Sequence, residues 1–333
     1  MDWTRGFTAS YYAMTVDSAT WRDLERIDIT GGSVKREREG LRASADVDCL
    51  NYDGGERWIR IYLDAKQDGD NAHVPLFTGL ATSPEVTYEG RRMETELECY
   101  SVLKPAEDVL LTRGWYAVAG SNGANVVRNL LSVTPAPVMV SPASPTLSQA
   151  IIAEDGETHL SMIDKILTAI NWRLRITGDG VVSVEPEPIE EVASFDPLEN
   201  DVIETTIKKS SDWYECPNVF MAIEDEAVAI ARDESSSSPL SIQNRGREIW
   251  KQESGCDLAN NETLAEYAKR MLRDSQKVEL SAEYDRRFFP DVFPGDLIRL
   301  RYPEQSLDGL FVVENQDIEI GYGARTSEEV FKR

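Results

Sequence analysis

Leu41-Arg42-Ala43-Ser44-Ala45-Asp46-Val47-Asp48-Cys49 puts an apolar side chain at every second position and Arg42, Ser44, Asp46 and Asp48 between them. A period of two is the signature of a strand with one face in a core and the other in water. The same pattern flanks it. Ile59, Ile61 and Leu63 alternate with Arg60, Tyr62 and Asp64, and Thr95, Leu97 and Cys99 alternate with Glu94, Glu96 and Glu98. Leu76–Leu80 is a short apolar run, and Gly31-Gly32, Asp53-Gly54-Gly55 and Glu89-Gly90 mark turns. Residues 1–112 therefore read as a small antiparallel β-barrel or sandwich, closed by a helix over Pro105–Leu111.

Residues 113–200 differ in character. Ala124–Leu131 carries Val126, Val127, Leu130 and Leu131 at helical spacing, and Pro135, Pro137, Pro142 and Pro145 then hold the chain extended. Ser161–Ile170 places Met162, Ile163, Ile166, Leu167 and Ile170 on one helical face. Trp172–Ile176, the turn Gly178-Asp179-Gly180 and Val181–Val184 follow as a β-hairpin. This segment is expected to be an inserted α+β domain, with acidic Glu185–Glu191 as its exit linker.

Strand patterning returns over residues 201–333, in Val202–Lys208, Asn218–Ile223, Val278–Tyr284, Leu297–Tyr302 and Leu310–Ile320. A helix at about 261–273, capped by Asn261, carries the stripe Leu264, Ala268, Met271 and Leu272. Asp233–Pro239 reads as an exposed loop. One internal echo links the two ends. Trp58-Ile59-Arg60-Ile61-Tyr62 followed by Leu76-Phe77-Thr78-Gly79 resembles Leu297–Tyr302 followed by Gly309-Leu310-Phe311-Val312. The fold class is mainly β with an α+β insert: two small antiparallel β-barrels separated by the inserted domain.

The chain's 333 residues carry 59 acidic and 35 basic side chains, a net charge of -24 that repels phosphate backbones. Its densest basic stretch, Lys35-Arg36-Glu37-Arg38, is broken by an acid and reads as a solvated strand end. No run approaches the roughly 18–20 apolar residues that span a bilayer, and the N-terminus lacks a signal-peptide core. No membrane anchor is expected, and synthesis is expected in the host cytoplasm. Cys49, Cys99, Cys216 and Cys256 form no CxxC pair, and the first two lie on apolar registers.

No catalytic, cofactor or metal site is expected. The two histidines stand apart, His73 in a polar stretch read as a loop and His159 at a helix start. HExxH, GxSxG, P-loop and dinucleotide-binding spacings are all missing. Gly120-Ser121-Asn122-Gly123 is read as a turn and helix cap, and acid runs such as Glu224-Asp225-Glu226 as solvated faces.

The order barrel, insert, second barrel with a helix resembles the hub proteins of tailed phages, of the late-control gene D type, and the N-terminal region of tail-associated lysins. Ile27–Gly32 with Val34, Leu41–Asp48, Trp58–Leu63 and Leu76–Leu80 carry the resemblance in the first part. Trp213–Phe220, Ala265–Leu272 and Phe293-Pro294-Gly295-Asp296-Leu297-Ile298 carry it in the last. The resemblance implies a non-enzymatic structural protein of the virion tail, a homotrimer whose six barrels continue the tail tube and let DNA pass. Implied partners are the tail-tube or distal tail ring, the tape measure protein, and tail-tip or receptor-binding components, without stable nucleic-acid binding. Asp46, Asp48, Glu94, Glu96, Glu98, Glu279, Glu283, Asp317 and Glu319 fall on non-apolar strand faces, so they are candidates to line a channel or to face bulk solvent. Two alternatives stay open: a tail-associated peptidoglycan hydrolase, and a carbohydrate- or receptor-binding module.

Overall fold

The computed structural model describes residues 1–52, 54–90, 92–198, 202–211, 213–224, 227–254, 256, 263–276 and 280–333. The first part is a strand set: β1 (Thr8–Val16), β2 (Asp23–Glu37), β3 (Ala43–Leu50), β4 (Arg57–Gln67), β5 (Asp70–Glu89) and β6 (Arg92–Ser101). On β3 the alternation is obeyed, since Ala45, Val47 and Cys49 are buried while Asp46 and Asp48 face out. Their partners across the ladder are Cys99, Leu97 and Thr95 of β6, all buried. Adding Ile59, Ile61 and Leu63 of β4 gives one apolar interior. Each such aliphatic side chain contributes about 1.5–3 kcal/mol on burial.

Periodicity does not account for β4, which is covered on both faces. Arg60 and Tyr62, on the polar register, are buried because the turn Gly178-Asp179-Gly180 and Asp23 cover them. Arg60 donates to Asp23 Oδ1 at 2.7 Å and to the Asp179 carbonyl at 3.0 Å. Thr78 donates to the Gly178 carbonyl at 2.8 Å, and a Cβ on Gly178 would sit 1.8 Å from the Pro75 oxygen. Only glycine lets this turn lie so close.

The middle comprises α1 (Lys104–Asp108), β7 (Tyr116–Ala117), α2 (Gly123–Leu130), β8 (Val138–Val140), β9 (Ile151–Ile152), α3 (His159–Ile170), β10 (Trp172–Ile176) and β11 (Val182–Pro186). Asn122 caps α2, accepting from Asn125 N at 3.1 Å, so the glycine-flanked turn is a helix cap. Thr158 and Ser161 form a reciprocal capping box on α3. The buried faces of α2 and α3 pack with the three-stranded sheet β10-β11-β8 around Val127, Ile163, Ile166, Val182 and Val184. The closing helix α1 is shorter than its sequence pattern suggested.

The last part runs β12 (Glu191–Phe195), β13 (Ile203–Ser211), β14 (Val219–Glu224), β15 (Ala227–Arg232), α4 (Ile242–Arg245), β16 (Trp250–Ser254), α5 (Leu264–Ser275), β17 (Leu280–Arg286), β18 (Leu297–Tyr302), β19 (Leu307–Glu319) and β20 (Thr326–Lys332). Contacts divide the chain into two compact units, Met1–Ile207 with Glu283–Phe331, and Lys208–Ala282. The second unit is a three-stranded sheet, β15-β14-β16, with Phe220, Ala222 and Ala231 packed on Tyr267, Ala268 and Leu272 of α5. Asn261 lies outside the described residues; the N-cap of α5 is Thr263, whose capping box with Glu266 satisfies the first turn.

The large sheet has twelve strands, and its order contains a repeat. The first set reads β1-β4-β5-β6-β3-β2 and the second β12-β18-β19-β20-β17-β13. Numbered within each set, both orders are 1-4-5-6-3-2. The sequence echo falls on the 4-5 hairpin of each set. Pairing of β1 with β2 closes the first circuit. Among the described residues no β12–β13 pairing closes the second, and β12 pairs parallel with β18 where β1 pairs antiparallel with β4. The sets are joined side by side by antiparallel pairing of β2 with β19, where Val34 lies opposite Ile318, both fully buried.

Candidate functional site

Most of the carboxylates singled out in the sequence lie on one face of this joined sheet. On β6, Glu98 faces Asp46 of β3 directly, and Glu96 faces Asp48. Asp46 lies opposite Ser33 of β2, which lies opposite Glu319 of β19, so one row crosses from the first set to the second. A neighbouring row runs Glu85, Glu96, Asp48 over β5, β6 and β3. Glu94 is one pair further along, and Asp317 lies opposite Lys35. Glu283 is exposed on β17 two residues from Asp285, which accepts from Arg325 and Ser327. Glu279 lies outside the described residues. Seven of the nine candidates therefore share one continuous five-strand surface, and Glu85, which patterning did not single out, joins them.

Some of this charge is met locally. Lys35 Nζ is 3.7 Å from Asp46, Arg92 is 2.8 Å from Glu94, and Tyr100 donates to Glu98 at 2.7 Å. That hydrogen bond to a carboxylate raises the Tyr100 phenol above its ordinary value. Among the described residues no cation lies within ion-pair distance of Glu85, Glu96 or Asp48. Like charges directly opposite on neighbouring strands destabilise a sheet. Water at these exposed positions limits each repulsion to about 1 kcal/mol at 4 Å.

Basic groups have the opposite placement. The stretch read as a solvated strand end contains Arg36, which is 5% exposed and donates to the Leu76 carbonyl at 2.8 Å. Burial, with Arg286 and Arg175 nearby, lowers its guanidinium to about 9. Glu328, also buried, accepts from Arg286 Nε at 2.9 Å, Tyr284 at 2.7 Å and Gln316 at 2.8 Å. Arg173 of β10 donates to Asp296 at 2.8 Å and Glu185 at 2.7 Å. Asp296 belongs to the Pro294-Gly295-Asp296 turn, and its other oxygen accepts from Phe293 N at 2.9 Å. These clusters hold elements together.

His73 is on β5, not in a loop, with Nδ1 2.6 Å from Asp64 and its ring stacked 4.3 Å from Tyr62. His159 Nδ1 is 2.9 Å from the Leu130 carbonyl, a contact between the start of α3 and the end of α2. Cys49, Cys99 and Cys256 are buried and Cys216 is half-buried. Burial raises the Cys49 thiol to about 12 and also raises the Cys99 thiol. Among the described residues no group of three His, Cys, Asp or Glu side chains could hold a metal ion. Among the described residues no helix is long and apolar enough to cross a membrane.

No protein-family model and no curated protein matches the sequence. Solved structures do match the fold. A tail protein from Neisseria meningitidis MC58 superposes with a TM-score of 0.66 at 15% identity, covering 98% of this chain and 97% of that one. The 43 kDa tail protein of prophage MuSo2 from Shewanella oneidensis gives 0.66 at 12% identity, covering 98% of both chains. A chain of the Francisella PdpA–VgrG complex gives 0.58 at 9% identity, with 98% of this chain on 58% of that one. The mainly β chain described above has, over nearly its whole length, the fold of phage tail proteins.

Proposed function

We propose that this chain is a structural hub at the tip or baseplate of a phage or phage-like tail. The observation that carries the reading is the repeated 1-4-5-6-3-2 strand order, two sets side by side in one sheet. In this reading the two tube barrels are residues 1–112 and 201–333, the second completed by β12 (Glu191–Phe195) from the end of the α+β insert 113–200 that separates them. Three chains supply six barrels, and the ring continues the tail tube. The acidic face lines the channel, where it repels passing DNA and keeps the passage non-binding. Partners are the tail-tube or distal tail ring above, the tape measure protein within, and tip or receptor-binding components below. The protein is a virion component without enzymatic activity.

Gold-labelled chain incorporated into intact tails should appear in electron micrographs at one end of the tail only. Label along the tail shaft, or no incorporation into tails, would overturn the assignment. A zymogram should show no peptidoglycan clearing; clearing that survives repurification would favour the hydrolase alternative.

A further inference from the structure

Among the described residues, the contact between the two strand sets leaves one matching edge uncovered on each set. Within the chain, the second strand of the first set, β2, pairs antiparallel with the far half of the fifth strand of the second set, β19. That far half is free to do so because β18 covers β19 only over Leu307–Val312. The equivalent strands that would repeat this contact are β13, second in its set, and β5, fifth in its set. Among the described residues β13 pairs only with β17. β4 covers β5 only as far as Ala81, and among the described residues no other strand covers the edge of β5 beyond it on that side.

The register follows from the hairpins. Trp58 opposite Leu80 is equivalent to Leu297 opposite Val312. β5 bulges between Thr82 and Glu85, and the buried register of β19 steps at the matching place, between Val313 and Gln316, so Val86 is equivalent to Ile318. Glu85 is likewise equivalent to Asp317. On the other strand, Ile207-Lys208-Lys209 echoes Val34-Lys35-Arg36. The chain buries Val34 against Ile318 completely, whereas Val86 is 38% exposed and Ile207 is half-buried.

We propose that β13 of one copy pairs antiparallel with the far half of β5 in a second copy, setting Ile207 opposite Val86 and Lys208 opposite Glu85. These pairs repeat Val34 with Ile318 and Lys35 with Asp317 across the boundary between chains. The occupant of the free edge is thus a second copy of this chain, because the edge already has a counterpart on the same molecule with matching apolar and charged residues. Such a head-to-tail contact uses two different surfaces and generates a ring when its rotation closes. It extends the acidic face from chain to chain, and it rests on the ring reading above.

Full-length Val86→Cys and Ile207→Cys chains test it. Directly opposed residues in an antiparallel pair lie about 4.5–5.5 Å apart at Cα, inside disulfide range. Mixing the two single variants under mild oxidation should give covalent dimers and nothing larger, while the double variant should give covalent multimers up to the closed ring. Each single variant alone should behave as the unmodified chain. Glu85→Lys should weaken association about tenfold, and adding Lys208→Glu should restore it. An assembled ring without cross-links, or a charge exchange that fails to restore association, overturns the edge assignment and leaves the ring reading standing. A chain that stays monomeric overturns both.

Discussion

Arg173 and Asp296 lie 123 residues apart and meet at 2.8 Å, with Asp296 completely buried. The pair ties β10 to the turn that starts β18. Gly295 makes the contact possible: its φ is +82°, and a Cβ there would stand 2.9 Å from the Arg173 guanidinium. Asp296→Ala leaves Arg173 with Glu185 alone and removes the acceptor of Phe293 N. The expected loss is about 3–5 kcal/mol, the usual cost of stranding half of a buried ion pair. Urea unfolding measures it as a lower midpoint at unchanged slope; a loss below about 1 kcal/mol would show that β10 is held elsewhere.

A second buried pair makes a prediction by comparison. Glu328→Ala leaves Arg286, 1% exposed at its side chain, charged and unpaired. It should destabilise by about 3–5 kcal/mol. Replacing both, as Arg286→Met with Glu328→Leu, should cost less than the single change, although Tyr284 and Gln316 still lose an acceptor. A double variant less stable than Glu328→Ala would contradict this.

The acidic face predicts an effect of unusual sign. Glu96 stands between Asp48 and Glu85 on adjacent strands. Glu96→Lys converts two repulsive pairs into attractive ones, each worth roughly 0.2–1 kcal/mol. The variant should be more stable at low salt, with the gain shrinking as salt rises. Lower stability at low salt would place Glu96 in a different environment. Reversing several of Glu94, Glu96, Glu98, Asp317 and Glu319 in assembled particles should slow DNA exit in a salt-dependent way; unchanged ejection would remove the channel role.

Alkaline pH probes the core. Burial raises Cys49 from its ordinary 9.0 to about 12, so the folded protein keeps its proton while the unfolded chain releases it. That contribution to stability is complete below about pH 9 and is lost as pH rises toward about 12, at up to about 1.4 kcal/mol per pH unit. Cys49→Ala should flatten part of the decline in chemical unfolding experiments. An identical pH profile would mean that the thiol titrates normally.

What the sequence disclosed depended on range. Alternation along β3 and β6 was legible because each strand has one wet face, and the α2 and α3 stripes because each helix has one dry face. The repeat was visible in Trp58–Tyr62 and Leu297–Tyr302, since the 4-5 hairpin carries the core of both sets. Burial of Arg36 and Arg60 was not legible, because the groups that cover them come from Leu76, Phe293 and Asp179, far along the chain. Nor was the row of Glu85 with Glu96 and Asp48, which only strand register brings together. Strand pairing is what brings seven of the nine candidate carboxylates onto one surface.

If three chains close the proposed ring, the mass of the particle in solution reveals it. Light scattering on the purified protein, alone and with its tail-tube partner, should give three times the 37.4 kDa chain mass. A particle of one chain mass under both conditions would contradict the account.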